Sequence, residues 1–387
     1  MSPQSSSPLR QNPDHLDEQL EKHFQGLVKN RIVKNAIVSV ESLDGTFSWT
    51  RAQGPAHPNG DSLSQDTPIW IASVTKLYTA AAIFKLAERK QVDINEKMSA
   101  YLPQALIEGL HRSQDGVDHT DEITLKHLLG HSSGLPDYLE DHPEGEKSLL
   151  EKVTEDGDRS WTLQEAFDLI RGRLTAHFPP QPLDKEKKKI RYSDTNYQLL
   201  IAIIESVTGG SQQDAFSGLL FQPLGLDATF LPGTPKDKSL PEPASIWDGD
   251  KPLEIPQTLQ SANDLISTTD DMLGFMRGLV QGRVFDDPAT FDLMRSEFNT
   301  FGFSLDPTPT APTWPIEYGL GMMRFKIPRL LTPFKPIPPV IGHTGVSGSW
   351  LFYSPDAELL LAGTVNQMAA AALPFRFIPR LLGDLVS

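Results

Sequence analysis

Cysteine is absent from the 387 residues. Disulfides, thiolate metal sites and a cysteine nucleophile are therefore all excluded, while the redox compartment is left open. Long apolar runs are missing too, and no stretch reaches the roughly 20 residues that a membrane-spanning helix needs. Positive charge is in deficit, with 35 Lys and Arg against 50 Asp and Glu, a net charge of -15. That balance argues against nucleic acid or an anionic membrane as partner. There is no P-loop, no histidine pair at zinc-ligand spacing and no internal repeat, so no cofactor or metal is expected. Residues Met1 to His15 are polar and hold no apolar signal core. They read as a disordered tail, and the protein is expected to be cytoplasmic.

What is present is the make-up of a globular protein able to bury a large core in one or two domains, with 39% apolar and 22% charged residues. A helix is expected from about Leu16 to Lys29. A hairpin follows, with strands over Ala36–Glu41 and Thr46–Thr50 turning at Asp44-Gly45. The helix from Ser73 to about Lys90 is apolar on most faces and should be central and buried. Helical patterns alternate with Pro/Gly-rich loops across the middle, including Trp161–Arg173 and Tyr197–Val207. Strand-like runs return over Tyr318–Phe325, Val340–Thr344, Ser349–Tyr353 and Glu358–Val365, and Pro374–Val386 closes the chain as a helix. The expected architecture is α+β. An antiparallel sheet flanked by terminal helices (16–94 with 263–387) is interrupted by a mainly helical domain (95–262), and the site falls between them.

Ser73-Val74-Thr75-Lys76 places a hydroxyl and an amine three residues apart at the start of a strongly helix-forming run, on one face of its first turn. A serine hydroxyl becomes a nucleophile only beside a base or a positive field, and Lys76 and the helix N-terminus offer both. Alone, S-x-x-K arises by chance about once in a chain this long, commonly as a helix cap beside a solvated lysine. Two later segments add to it. Tyr192, in Ile190-Arg-Tyr-Ser-Asp-Thr-Asn-Tyr197, sits on a polar loop just before a helix. A phenol sharing a site with an ammonium should have its pKa lowered, which suits it to take and pass on a proton. His343-Thr344 lies between Gly342 and Gly345, where the small residues allow close approach of a backbone to a ligand.

In this order, S-x-x-K, Y-x-N-like and H-x-G segments resemble the serine β-lactamase-like family of class C β-lactamases, D-alanyl-D-alanine carboxypeptidases and related esterases. Thr124–Pro136, Tyr318–Met322 and Ser354–Asn366 are similar to the family as well, so the resemblance runs from about residue 20 to the C-terminus. It implies Ser73 as acylated nucleophile and Lys76 with Tyr192 as the proton-handling pair. It also implies His343-Thr344-Gly345 as the strand edge along the substrate, with the backbone N–H groups of Ser73 and Val346 as oxyanion hole.

Two departures bear on the substrate. Asp194 stands where the family commonly has asparagine, and an ionised carboxylate can only accept hydrogen bonds. It should pair with Lys76, keep that amine protonated and leave Tyr192 as base, unless it merely caps the following helix. Asn196 could replace the missing donor if the segment is extended, but not if it is helical. His343 replaces the lysine of β-lactamases and is largely neutral at pH 7, which weakens recognition of a substrate carboxylate. Arg324 is the cation that could restore it, although an edge arginine is more often just solvated. The charged segment Phe178–Ile190 is longer than the family's loop; its lysines read as a solvated face, and it could form one wall of the cleft. The expected activity is hydrolysis of a small ester through an acyl-enzyme. Alternatives are a D-alanyl-D-alanine carboxypeptidase or β-lactamase, an acyltransferase using the same intermediate, and a silent scaffold of the same fold.

Overall fold

Ala36, Val38 and Val40 point to one face of their strand and Ile37 and Ser39 to the other, and all five are buried. A strand buried on both faces belongs inside a layered structure. The computed structural model describes residues 13–302, 314–330, 332 and 336–386. Among these residues, eight strands form one antiparallel sheet. In chain order they are β1 (Ala36–Ser42), β2 (Ser48–Gln53), β3 (Asn299–Gly302), β4 (Ile316–Tyr318), β5 (Met323–Phe325), β6 (Val340–Thr344), β7 (Trp350–Ser354) and β8 (Leu359–Thr364). In space they run β2-β1-β8-β7-β6-β5-β4-β3. The central register pairs Val38 with Gly363, Trp350 with Gly363 and Gly342 with Phe352.

Six helices matter for the site and the core: α1 (Pro13–Val28), α2 (Thr75–Glu88), α3 (Leu125–Leu129), α4 (Asp194–Thr208), α5 (Thr269–Val280) and α6 (Pro374–Leu385). Leu16, Leu20 and Phe24 of α1 and Ile378, Leu381 and Leu382 of α6 pack on one face of the sheet, against Val38, Trp350, Phe352 and Leu361. Ile37, Leu351, Leu360 and Ala362 on the other face join the core of α2, α4 and α5. In α2 every residue from Thr75 to Leu86 is buried, as its nearly continuous apolar surface requires. Tyr78 stacks on Phe275 of α5 at 3.7 Å between ring centres.

Among the described residues the large sheet takes its strands from 36–53 and 299–364; residues 95–262 supply helices and a separate hairpin, Ile246–Asp248 with Lys251–Leu253. Three local readings change. Tyr318–Phe325 is two strands, not one, because Gly319–Met322 turns the chain. Gly321 adopts φ +97° there, and a Cβ would stand 2.2 Å from that of Ala80 in α2, so the turn rests directly on the helix. The four residues of β3 are too few to show a period and were not foreseen. Finally, α1 already begins at Pro13, inside the expected tail, whose residues 1–12 lie outside the described residues. Among the described residues no helix is long and apolar enough to cross a membrane.

Candidate active site

Ser73 lies in a single 3-10 turn, Ala72–Val74, that runs straight into α2. Its side chain does not cap the helix. Ala72 takes φ +47°, a left-handed conformation that is costly for a residue with a Cβ and is retained only where surrounding contacts impose it. Those contacts come from the segment after β6 and from residue 265. Ser347 Oγ donates to the Trp70 carbonyl (3.0 Å) and Ser349 Oγ to that of Ile71 (2.8 Å). The Ile71 N–H donates to Leu265 O (3.0 Å), and the Leu265 N–H to Thr75 Oγ1 (2.8 Å). Gly345 completes the junction. A Cβ there would lie 2.6 Å from Ile71 O and 2.9 Å from Ala72 Cβ, so only glycine lets β6 reach the serine turn.

Lys76, one turn into α2 and 3% exposed, donates from Nζ to Ser73 Oγ at 3.0 Å and forms an ion pair with Asp194. Burial works against its charge, but Asp194, then Tyr192 and Asp264, outweigh it, and the amine is held well above the usual lysine range as an ammonium. Asp194 thus does what its departure from asparagine implied. It is the first residue of α4 rather than a cap, and its N–H donates to Asp137 Oδ2 (3.1 Å). Asp137 itself is buried, and burial together with the Asp194 charge keeps its carboxyl protonated well above the normal range.

The Tyr192 ring faces the same ammonium, with Lys76 Nζ 5.0 Å from its centre. Its hydroxyl oxygen is shielded from solvent, and both Ser73 and Lys76 bias it toward ionisation. Burial nevertheless dominates and pushes the phenol up, opposite to the lowering expected from the ammonium alone. Tyr192 therefore rests as a neutral phenol. Beneath it lie His131, Tyr197, Tyr318 and His343, all buried.

Several residues expected to meet substrate are engaged elsewhere. Asn196 is 0% exposed; because α4 starts three residues earlier than foreseen, it is helical and turned inward. Its Oδ1 accepts from Ser133 Oγ (2.6 Å) and its Nδ2 contacts His131 Nδ1 (2.9 Å). The His343 ring is also 0% exposed, with Nδ1 donating to Thr344 O (2.6 Å) and Nε2 facing the Tyr318 hydroxyl (3.2 Å). Burial, with Lys76 adding to it, lowers its pKa to about 3, so it is neutral. Thr344 directs its hydroxyl at Met323 Sδ (3.7 Å). The backbone of this segment remains available: β6 pairs with β5 only from Val340 to Gly342, which leaves the His343–Gly345 edge open on that side. Arg324 is spent on Glu317 (2.6 Å) and lies over the Phe298 ring. In the Phe178–Ile190 segment, Lys188 is not solvated but bonded to Glu297 (2.7 Å), and Lys189 covers the Phe178 ring.

Sequence reasoning did not single out His131, Asp137, Tyr318 or Asp264. His131 and Tyr318 lie in the family-like stretches Thr124–Pro136 and Tyr318–Met322, which imply no role for either; Asp137 follows the first of these, and Asp264 carries no local signal, since only the fold brings it to Thr75 and Lys76. Burial first, then Asp194, raise its carboxyl to about 7 against the pull of Lys76. On the face of α4 one turn beyond Asp194 lies a cavity of about 250 Å³ lined by Tyr138, Trp161, Leu163, Gln198, Ser261 and Asn263; Ser73, Lys76 and Tyr192 do not line it. A larger groove of about 930 Å³, between Phe84–Asn95 and Asp286–Leu293, contains none of the residues above.

The family model described as Beta-lactamase matches residues 27–377. The monacolin J acid methylbutanoyltransferase of Aspergillus terreus is 29% identical over 225 residues, 54% of this chain and 51% of that protein. Esterase EstB of Burkholderia gladioli is 28% identical over 247 residues, 60% and 56% of the two chains. The chain thus spans about half the length of these curated relatives. Among solved structures, EstCE1, described as a hydrolase with promiscuous acyltransferase activity, is similar in fold, with a TM-score of 0.73 at 21% identity over 97% of this chain and 99% of that one.

Proposed function

The chain belongs to the beta-lactamase family of serine hydrolases, and from that premise we propose that it hydrolyses small, uncharged carboxylic esters through an acyl-enzyme on Ser73. The observation that carries this reading is the buried ammonium of Lys76, which touches Ser73 Oγ while Asp194 holds its charge. In the proposed cycle Ser73 Oγ attacks the ester carbonyl and its proton passes to the Tyr192 oxygen. Tyr192 gives its own proton to the departing alkoxide, so the phenol is neutral before and after and no resident phenolate is needed. Water then enters by the same route, with its proton passing to Tyr192 and that of Tyr192 to Ser73, which releases the acid. The Lys76 charge favours the anionic character that develops on Ser73, and the N–H groups of Ser73 and Val346 receive the carbonyl oxygen.

A neutral substrate is favoured because Arg324 is bound to Glu317 and His343 is uncharged, so neither residue presents a cation to a substrate carboxylate. The likeness to a methylbutanoyltransferase supports a second reading, in which an alcohol replaces water at the same intermediate. The sheet domain proposed for 16–94 and 263–387 and the helical one for 95–262 would then contribute Ser73 and Tyr192 to one cleft.

The test is intact mass after a fluorophosphonate and, separately, benzylpenicillin, with Ser73→Ala as control, followed by turnover of p-nitrophenyl butyrate with and without an added alcohol. A single Ser73-dependent fluorophosphonate adduct with ester turnover is expected. Turnover that persists in Ser73→Ala overturns the reading, a stable penicillin adduct moves it to the peptidase, and transfer to alcohol in preference to water selects the acyltransferase.

A further inference from the structure

His131 grips the chain on both sides of Tyr192. Its carbonyl accepts the Arg191 N–H at 2.9 Å, and its ring Nδ1 accepts the Ser193 N–H at 3.2 Å. Two successive bonds from one residue to positions 191 and 193 leave the intervening side chain little freedom to pivot. The arrangement depends on φ +52° at His131, which turns carbonyl and imidazole toward the same segment. A left-handed backbone at a fully buried non-glycine residue persists only where its surroundings impose it, and such strain gathers at functional positions.

The ring itself is oriented from three directions. Ser133 Oγ donates to Asn196 Oδ1, which settles that the Asn196 amide presents its NH2 to His131 Nδ1 at 2.9 Å. With Ser193 and Asn196 both donating to Nδ1, that atom is an acceptor and the ring proton resides on Nε2. Nε2 is buried and, among the described residues, has no oxygen or nitrogen partner. It has aromatic faces instead: the imidazole lies 4.5 Å from the Tyr192 ring, 4.6 Å from Tyr318 at 69° and 5.1 Å from Tyr197. Burial first, and the nearby Lys76 charge after it, keep the imidazole neutral.

We propose that His131 is the positioning residue of the proton relay, holding Tyr192 in register with Ser73 through its carbonyl, its Nδ1 and the packing of its imidazole against the surrounding rings. It touches neither Ser73 nor substrate and acts only through Tyr192, so the inference rests on the relay role given to Tyr192 above. Displacement of a reacting group by about 1 Å can cost about a hundredfold in rate, which sets the scale of the effect.

The test is a double-mutant cycle on ester turnover with His131→Ala, Tyr192→Phe and the pair, plus His131→Asn, all checked for folding by thermal melting. His131→Ala is expected to lower kcat about a hundredfold with KM within about threefold, and to have less than about threefold further effect once Tyr192 is phenylalanine. His131→Asn, which tolerates the left-handed backbone and keeps an acceptor near Nδ1, should recover about tenfold of the loss. Equal losses from His131→Ala in both backgrounds mark a purely structural residue and overturn the proposal. If Tyr192→Phe alone keeps the full rate, the relay reading fails and the positioning role falls with it. ¹⁵N spectra of the imidazole separate the two failures: a proton on Nε2 with a nitrogen acceptor signature at Nδ1 shows the clamp intact, whereas a proton on Nδ1 overturns the clamp itself.

Discussion

Lys76 and Asp194, on helices brought together from distant parts of the chain, form a buried ion pair whose ammonium also donates to Ser73 Oγ at 3.0 Å. The pair decides the protonation of the site. With Lys76 fixed as a cation, the proposed relay gives proton transfer from serine to the neighbouring phenol.

Asp194→Asn leaves a buried ammonium without its principal counter-charge. Breaking such a pair costs about 3 kcal/mol, so chemical denaturation should show a loss of that order. Activity should fall as well, since the Lys76 charge would then be weakened by burial. Unchanged stability would place the Lys76 charge elsewhere than on Asp194.

Tyr192→Phe removes the relay and keeps the ring under Lys76 Nζ, 5.0 Å away. General acid–base groups typically contribute about 10²- to 10⁴-fold, and kcat on p-nitrophenyl butyrate should drop within that range with little change in melting temperature. A drop of less than about threefold would require another proton acceptor.

Gly345→Ala forces a methyl group against Ile71 O and Ala72 Cβ. Because one obstacle, Ile71 O, is backbone, the β6 end must withdraw from the serine turn and carry the Val346 N–H with it. A loss of about a hundredfold or more in kcat is expected, the scale of one oxyanion donor. Steady-state kinetics on the folded variant check it.

Buried His343 sets an acid limit on stability. Its pKa is about 3 in the fold against an ordinary 6.5. Between these values the unfolded chain binds a proton that the folded chain refuses, so stability rises with pH and is lost as pH falls below about 6.5. His343→Gln, which keeps a donor and an acceptor, should therefore lose less melting temperature than the parent between about pH 7 and pH 5.

Asp264 has the opposite sign. Its carboxyl titrates at about 7 in the fold against an ordinary 3.8. Between these values the unfolded chain has released a proton that the fold retains, so this group destabilises the fold increasingly as pH rises from about 4 to about 7. Relative to the parent, Asp264→Asn should be more stable at about pH 8 than at about pH 4. A difference independent of pH would show that Asp264 titrates normally.

Much of the scaffold was readable because it rests on periodicity. The short apolar runs of Ala36–Val40 and Leu359–Gly363, and the unbroken apolar surface of Thr75–Leu86, locate strands and a central helix from local pattern alone. Boundaries were less legible where the cue is tertiary. Gly319–Met322 breaks a strand because Gly321 must lie on Ala80, and α4 starts at Asp194 because Asp137 and Lys76 hold that end, neither of which is a neighbour in sequence.

The sequence by itself determined the residue types and the order of the segments: a serine and a lysine one turn apart, then a tyrosine and aspartate, then a glycine-flanked His-Thr. That information is local and chemical. The tertiary structure alone decided which side chains face one another and in what dielectric. It shielded the Tyr192 hydroxyl so that desolvation outweighs the Lys76 charge, turned Asn196 and His343 away from the cleft, tied Arg324 to Glu317, and drew Asp264 and His131 to the site. Charge and solvation depend on distances between residues far apart in the chain, and those distances exist only once the sheet and helices have packed.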